Sequence, residues 1–126
     1  TRAVLKRIED DLNEIKVIDG VRWLPDAKMV RSLPRSIQVY ITADQGVRYE
    51  RAKTRNAKAG EAEMGWEEFQ KLDKAKNEVD IPKIGATADF KIVNNGTLKE
   101  YKTQVIACFE KLILPILRGE EQQQLL

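Results

Sequence analysis

The sequence predicts an α/β protein in which helices flank a parallel β-sheet on both faces, giving three layers. Three short runs rich in β-branched residues, at 15–18, 37–41 and 88–93, are separated by segments long enough for a helix. Strands that alternate with helices in this way pair in parallel through right-handed crossovers. The third run leads directly into a tight turn and a capped helix, which is the usual closing unit of such a domain.

The first quarter of the chain predicts a helix, a strand and a second helix. Val4, Ile8 and Leu12 recur at helical spacing among charged residues, so the opening segment reads as an amphipathic helix. The run 15–18 then predicts a strand that ends at a turn. Pro25 suits the first turn of the next helix, which Pro34 ends.

The middle of the chain predicts a strand at 37–41, a helix that starts at Gln45, and an irregular excursion. Beyond Asn56 the composition shifts to Ala, Lys, Gly and Glu, which predicts a mobile segment. Apolar residues at 66, 69 and 72 predict another amphipathic helix. Pro82 is expected to interrupt regular structure before the third strand.

The last unit carries the clearest local signals. Thr97 and Glu100 have the Ser/Thr-x-x-Glu spacing of a capping box, and an apolar helix face follows. Pro115 is expected to bend or end that helix, and residues 120–124 read as a solvated tail.

Composition excludes several classes of function. The 126 residues carry a formal charge of +2, which is too weak for a nucleic-acid footprint. With no histidine, Ser-His and Cys-His catalysis and histidine-ligated zinc are excluded within this chain. The single cysteine, Cys108, excludes an internal disulfide and is expected to be an apolar filler. Because no apolar run reaches about 18 residues and no signal core is present, we expect a cytoplasmic protein without a membrane span.

Two groups of polar residues are candidates for ligand binding. Asp19 and Arg22 come just past a predicted parallel strand, where α/β sheets gather ligands. The carboxylate could hold magnesium and the guanidinium could grip phosphate, or the two could form a surface ion pair on a turn. Arg48, Arg51 and Arg55 share one helix stripe and could converge on a polyphosphate, or be a solvated face neutralised by nearby acids.

The turn at 94–96, with the sequence Asn-Asn-Gly, precedes a helix amino terminus and is expected to tolerate left-handed conformation. Its main-chain groups could contact a base edge, or it could be a plain turn. Trp23, Trp66 and Phe69 are expected to be packing residues.

These elements resemble the P-loop nucleotide kinases of the dephospho-coenzyme A kinase and nucleoside monophosphate kinase group. The resemblance covers nearly the whole chain. It rests on Asp19-Gly20-Val21-Arg22, Arg48-Tyr49-Glu50-Arg51, Arg55, Ala88-Asp89-Phe90 and Asn94-Asn95-Gly96-Thr97-Leu98-Lys99-Glu100. The final element is the most specific, because dephospho-coenzyme A kinases close with a very similar pattern.

The resemblance implies a role for each candidate residue. Asp19 and Arg22 would lie by the phosphoacceptor substrate, with Asp19 also near the metal. A lid-like excursion at about 48–72 would close over ATP and Mg²⁺, with Arg48 on the nucleotide. Arg51 and Arg55 would be the catalytic arginines that neutralise charge during transfer. Asn95 and Gly96 would line the adenine pocket.

The chain also departs from the pattern, because it contains no Gly-x-x-x-x-Gly-Lys-Ser/Thr phosphate loop. The resemblance implies a sheet in the order 2-3-1-4-5, of which these residues would supply strands three to five, with the first two strands absent. The missing first strand would lie between strands three and four. Buried unpaired strand groups cost about 1–3 kcal/mol each, so a missing amino-terminal half or a partner chain is expected to complete the sheet.

The leading interpretation is therefore that residues 1–126 are the carboxyl-terminal portion of one nucleotide-kinase-like domain. We expect the whole enzyme to transfer a phosphoryl group from ATP to a nucleotide-like or coenzyme-like substrate, and this chain alone to be inactive. The alternative is a non-catalytic α/β binding or assembly module that lacks the phosphate loop. A third hypothesis, acid/base catalysis by Asp19 with Lys or Arg, lacks a second paired carboxylate.

Overall fold

The structure, a computed structural model, describes residues 2–55, 60–75 and 79–119, and it confirms the α/β class. In chain order its elements are α1 (Arg2–Asp10), α2 (Leu24–Arg31), β1 (Val39–Thr42), α3 (Gln45–Arg55), α4 (Trp66–Asp73), α5 (Ile81–Ala86), β2 (Phe90–Val93), α6 (Leu98–Cys108) and α7 (Leu114–Leu117). A 3₁₀ turn at Glu61–Glu63 lies between α3 and α4, and a π-helical turn at Phe109–Ile113 joins α6 to α7.

The prediction of a first strand at residues 15–18 is wrong. Residues 15–18 lie in the connection between α1 and α2, which has neither helix nor strand. The Lys16 ammonium donates to the Ile8 carbonyl at 2.8 Å, so the segment folds back on the end of α1. A β-branched run becomes a strand only beside another strand, and no described strand pairs with this one. Val17 is accordingly 87% exposed.

The other two predicted strands are confirmed and form a parallel pair. Val39 is opposite Phe90, and Ile41 is opposite Ile92. The amides of Phe90 and Asn94 donate to the carbonyls of Gln38 and Thr42, which frame the ladder. In a parallel ladder alternate residues bond to the neighbour, so the even-numbered residues of β1 face β2. The main-chain groups of Val39 and Ile41 therefore point to the opposite edge, where no described strand pairs with them.

Burial of the sheet decreases from β2 to β1. Ile92 is 2% exposed, whereas its neighbour Ile41 on the same face is 51% exposed. The buried hydrophobic residues of the described part are few, and they are Ala27, Val30, Ala52, Ile92 and Cys108. Cys108 is the apolar filler that the sequence predicted, and burial raises the pKa of its thiol. The core thus lies behind β2, and one face of β1 is open.

Asp89 fastens the amino end of the sheet. Its carboxylate accepts from the Gln38 amide at 2.7 Å and pairs with Arg31 of α2 at 2.7 Å. The Arg31 guanidinium also donates to the Thr87 carbonyl. One aspartate therefore holds α2 and the starts of both strands together.

Two prolines behave differently from the sequence-based expectation. Pro82 does not interrupt regular structure but lies in the first turn of α5. Proline is tolerated there because the first helical N–H groups have no partner within the helix. Pro115 does not end the last helix, because the π-helical turn shifts the bonding pattern just before α7. The predicted tail at 120–124 lies outside the described residues.

Helix α5 packs against β1 through a glycine that the sequence did not single out. A Cβ placed on Gly85 would lie 2.5 Å from the Tyr40 ring, which no real contact allows. The absence of a side chain at position 85 is what lets the helix approach the ring.

We predict that Gly85→Ala destabilises the chain by about 1–3 kcal/mol, because the added methyl overpacks against Tyr40. The control is Gly46→Ala in α3, where a Cβ meets nothing within 4 Å. That change should stabilise by up to about 1 kcal/mol through helix propensity. Urea unfolding of both variants is the measurement, and equal effects at the two positions would contradict the packing.

Candidate functional site

The candidate site lies at the carboxyl edge of the sheet, where the loops that follow β1 and β2 meet. The Asn94 amide donates to the Thr42 carbonyl at 2.7 Å. The Asp44 amide donates to the side-chain oxygen of Asn95 at 2.8 Å. These two bonds join the loop at 43–44 to the turn at 94–96, and we call the joined loops with Arg51 the carboxyl-edge site.

Arg51 of α3 closes this site from one side. Its guanidinium donates to the Asn94 carbonyl, and Nη2 donates to the Gly96 carbonyl at 3.2 Å. No described carboxylate lies within ion-pair distance of it. Among the described residues, the positive charge of Arg51 is thus offset by the carbonyl dipoles of Asn94 and Gly96, in the turn predicted to line a base pocket.

The turn at 94–96 does not use a left-handed conformation, and the expectation that it tolerates one stays a prediction. Positive φ occurs among the described residues at Arg35, Gly20, Gly60 and Gly119, and not at 94–96. A Cβ on Gly96 would lie 1.8 Å from the Glu100 carboxylate, which is the end of a flexible, exposed side chain that can move away. The Glu100 amide donates to Thr97 Oγ1 at 3.2 Å, which confirms that half of the predicted capping box.

Arg48 contacts protein groups through all of its nitrogen atoms. Nε donates to the Ala43 carbonyl at 2.9 Å, and the other two nitrogens form a fork with the Asp73 carboxylate of α4. The guanidinium also lies over the Phe69 ring, 5.9 Å from its centre. This side chain joins α3 to α4.

Asp73 receives hydrogen bonds from two residues of α3. Besides the Arg48 fork, the Gln45 side-chain amide donates to it at 2.9 Å. Hydrogen bonding from Arg48 is the main cause that lowers the pKa of Asp73 below 3.8, while partial burial acts in the opposite direction. The carboxylate is thus held in its charged form.

An aromatic cluster packs beside this ion pair. Trp66 and Phe69 of α4 surround Tyr49 of α3 at ring-centre distances of 5.2 and 5.3 Å. The Tyr49 hydroxyl donates to the Met64 carbonyl at 2.9 Å. Trp66 and Phe69 are therefore packing residues, as predicted, although Trp66 is 39% exposed and Trp23, which is outside the cluster, is 45% exposed.

Arg55, at the end of α3, pairs with Glu61 of the 3₁₀ turn at 2.8 Å. The arginine side chain is 61% exposed, whereas the glutamate side chain is 6% exposed. The predicted mobile excursion falls partly on residues 56–59, which lie outside the described part. The described remainder of the predicted lid is the helix–turn–helix unit of α3, the 3₁₀ turn and α4.

The three arginines of α3 do not share a protein partner. Arg48 contacts α4, Arg51 contacts the turn after β2, and Arg55 contacts the 3₁₀ turn. The predicted arginine stripe on α3 therefore does not converge on one point, because each arginine contacts a different part of the chain. Neither Asp73 nor Glu61 was identified from the sequence, because pairing across 25 and 6 residues depends on how α3, the 3₁₀ turn and α4 fold together.

Asp19 and Arg22 lie apart from the regular elements, in the connection before α2. Asp19 and Asp26 line a small cavity of about 150 Å³ together with apolar residues of α1 and α2. The described residues contain no cluster of three metal-ligating side chains. Mg²⁺ is commonly bound through one or two carboxylates together with waters and substrate phosphates, and the Asp19 and Asp26 carboxylates fit that mode.

No helix in the described ranges is long and apolar enough to cross a membrane.

We predict that Asp73→Asn costs about 1 kcal/mol of stability at pH 7, because it removes the charge from the Arg48 fork. Since the folded-state pKa of Asp73 is lowered, its stabilisation is present above about pH 4 and is lost as the pH falls through the folded value. The difference between the variant and the wild type in urea unfolding should therefore shrink below pH 3.8.

Asp10→Asn is the matched control. Asp10 pairs with Lys6 on exposed α1, with side chains 65% and 76% exposed. Its effect should stay below about 0.5 kcal/mol at every pH. A difference for Asp73→Asn that does not change with pH would contradict the assigned pairing.

Comparison with known proteins finds similarity to curated proteins that are named UPF0200 protein. The chain is 28% identical over 112 residues to one from Staphylothermus marinus, covering 89% of this chain and 58% of that protein. It is 32% identical over 104 residues to one from Thermococcus onnurineus, covering 80% and 55%. It is 31% identical over 115 residues to one from Thermococcus kodakarensis, covering 89% of this chain and 58% of that protein.

No model of a known protein family matches the chain, and no solved structure matches it. The printed names of the relatives state no activity. The chain spans a little over half the length of the curated relatives that it matches.

Proposed function

We propose that these residues are the carboxyl-terminal part of an ATP-dependent kinase that acts on a nucleotide-like or coenzyme-like substrate, as the resemblance to dephospho-coenzyme A kinases implies. The observation that carries the proposal is the carboxyl-edge site. Arg51 donates to the turn at 94–96, directly beyond the carboxyl ends of two parallel strands. Ligands of open α/β sheets bind at that edge.

The sheet supports the same proposal. In the strand order 2-3-1-4-5 the fourth and fifth strands are neighbours, as β1 and β2 are. The first strand would pair with the far edge of the fourth, and Val39 and Ile41 present their main-chain groups to that edge. Both side chains are exposed, at 40% and 51%. A longer polypeptide, like the curated relatives, would have the residues to cover them.

The proposed reaction is phosphoryl transfer. An acceptor oxygen attacks the γ-phosphorus of ATP, and the bond from that phosphorus to the β,γ-bridging oxygen breaks. ADP leaves with the electron pair, and the acceptor oxygen loses its proton. The protein contributes positioning and charge neutralisation. Bound magnesium would neutralise phosphate charge, and Asp19 is the residue proposed to lie near it, with Arg22 on the substrate.

Within this proposal the three arginines of α3 differ in how many N–H groups they can offer to a phosphate. Arg48 uses all of its nitrogens on Ala43 and Asp73, so its contribution is to hold the lid helices together. Arg51 and Arg55 are exposed and are the proposed partners of the transferred phosphate. Asn95 and Gly96 are proposed to present main-chain groups to adenine.

One observation favours the alternative, a non-catalytic binding or assembly module. Arg48 and Arg55 already pair with carboxylates of the same chain, so neither needs a phosphate to offset its charge. The coding sequence upstream of Thr1 separates the two candidates. A strand followed by Gly-x-x-x-x-Gly-Lys-Ser/Thr supports the kinase, and a start codon near Thr1 supports the module.

Calorimetry of the 126-residue chain with ATP and magnesium adds a second test. The kinase proposal expects weak or no ATP binding by this chain and micromolar to millimolar binding by the polypeptide that includes the phosphate loop. Absence of binding by that longer polypeptide would contradict the proposal.

We predict that Arg55→Lys lowers phosphoryl transfer by the intact enzyme by about 100-fold or more, because lysine lacks the planar fork that neutralises a transferring phosphate. Lysine keeps a positive charge next to the buried Glu61, so the unfolding midpoint should change little. Arg55→Ala would also remove that charge, which confounds stability with transfer. Arg7→Lys on α1 is the control, and full activity of Arg55→Lys would exclude the assigned role.

A further inference from the structure

We infer that Glu61 is a positioning residue, which holds the Arg55 guanidinium in place for an anionic ligand. The inference rests on the proposed function and extends it to a residue that contacts neither the phosphate nor the nucleotide. The juxtaposition is a buried carboxylate at the end of a largely exposed arginine, joined at 2.8 Å.

The turn that carries Glu61 is fixed at both ends. Gly60, directly before it, has a φ of 81°, a conformation that favours glycine and sets the entry to the turn. Directly after it, the Met64 carbonyl accepts from the Tyr49 hydroxyl of α3. The backbone of the turn is therefore held against α3 by a hydrogen bond that does not involve Arg55.

Arg55 is bound at one point and open elsewhere. Its described contact is made by Nη2, and Nε and Nη1 have no hydrogen-bond partner within the described ranges. With 61% of its side chain exposed, these donors are accessible to a ligand. The guanidinium can thus keep its contact with Glu61 and still present the N–H groups of Nε and Nη1 in a fixed direction.

The burial of Glu61 makes the contact hard to release. Glu61 is 5% exposed. Removing a charged partner from a buried carboxylate lowers stability strongly, because the remaining charge is then uncompensated. Arg55 therefore stays on Glu61 when an anion arrives. A long arginine that is already ordered loses less side-chain freedom on binding, which is the advantage of preorganisation.

The glutamate has two opposing effects, and they act on different kinetic constants. Its negative charge lowers the attraction of Arg55 for any phosphate, so removing it should leave the KM for ATP unchanged or slightly lower. Its grip fixes the direction of the guanidinium, so removing it should lower kcat, because charge neutralisation in the transition state depends on geometry. A purely structural glutamate would not separate the two constants.

The experiment measures ATP hydrolysis with Mg²⁺, with water as the acceptor, in the intact polypeptide that contains these residues and the phosphate loop. The variants are Glu61→Gln, Glu61→Asp, Arg55→Lys and the double variant Glu61→Gln with Arg55→Lys. Glu63→Gln is the matched control, because it is an exposed glutamate on the same 3₁₀ turn.

We expect Glu61→Gln to lower kcat by about 10-fold with KM within about 3-fold of the wild type. Glu61→Asp should recover part of the loss, and Glu63→Gln should match the wild type. In the Arg55→Lys background Glu61→Gln should have little further effect, since both act through one guanidinium. Side-chain NMR should show that the Arg55 Nε–H signal is ordered in the wild type and becomes mobile in Glu61→Gln.

Three results would overturn the inference while leaving the proposed function intact. These are an unchanged kcat for Glu61→Gln in an active enzyme, a raised KM at constant kcat, or a full additional loss in the Arg55→Lys background. Failure of the wild type to bind ATP would instead contradict the proposed function, and this inference with it.

Discussion

The parallel pairing of β1 with β2 is the interaction on which the rest of the described structure depends. It is fastened at its amino end by Asp89, whose carboxylate joins the Gln38 amide and Arg31, and at its carboxyl end by the bond from Asn94 to Thr42. A two-stranded sheet is marginal by itself, so helices must cover it. The pairing also decides where chemistry can occur, because it brings the loops after both strands to one edge.

Charge pairing organises the second part of the molecule. Helix α3 sends Arg48 to α4, Arg51 to the turn after β2, and Arg55 to the 3₁₀ turn. The first contact is a fork that keeps Asp73 ionised, and the second joins α3 to the carboxyl-edge site. The same helix thus connects α4 and the 3₁₀ turn with the turn after β2.

The sequence predicted the features that depend on residues close together in the chain. It missed those that depend on packing between residues far apart in the chain. The capped start of α6 and the helix at 66–73 depend on residues a few positions apart, and both are confirmed, although Leu72 on the predicted apolar face of α4 is 51% exposed. The run at 15–18 has strand composition but no described strand beside it, so it stays irregular. Long-range pairs such as Arg48 with Asp73, and the approach of Gly85 to Tyr40, follow from packing and leave no periodic signal. The roles assigned to Asp19, Arg22 and Asn95 by resemblance remain predictions.

The central claim is that β1 and β2 are neighbouring strands of a larger parallel sheet whose next strand pairs with the open edge of β1. Amide hydrogen exchange at Val39 and Ile41 tests it most directly, with Tyr40 and Thr42, which face β2, as internal references. We predict that Val39 and Ile41 exchange rapidly in the 126-residue chain and become protected by about 100-fold or more in a longer polypeptide that includes the proposed amino-terminal half. Rapid exchange of both amides in that longer polypeptide, with the references protected, would contradict the account.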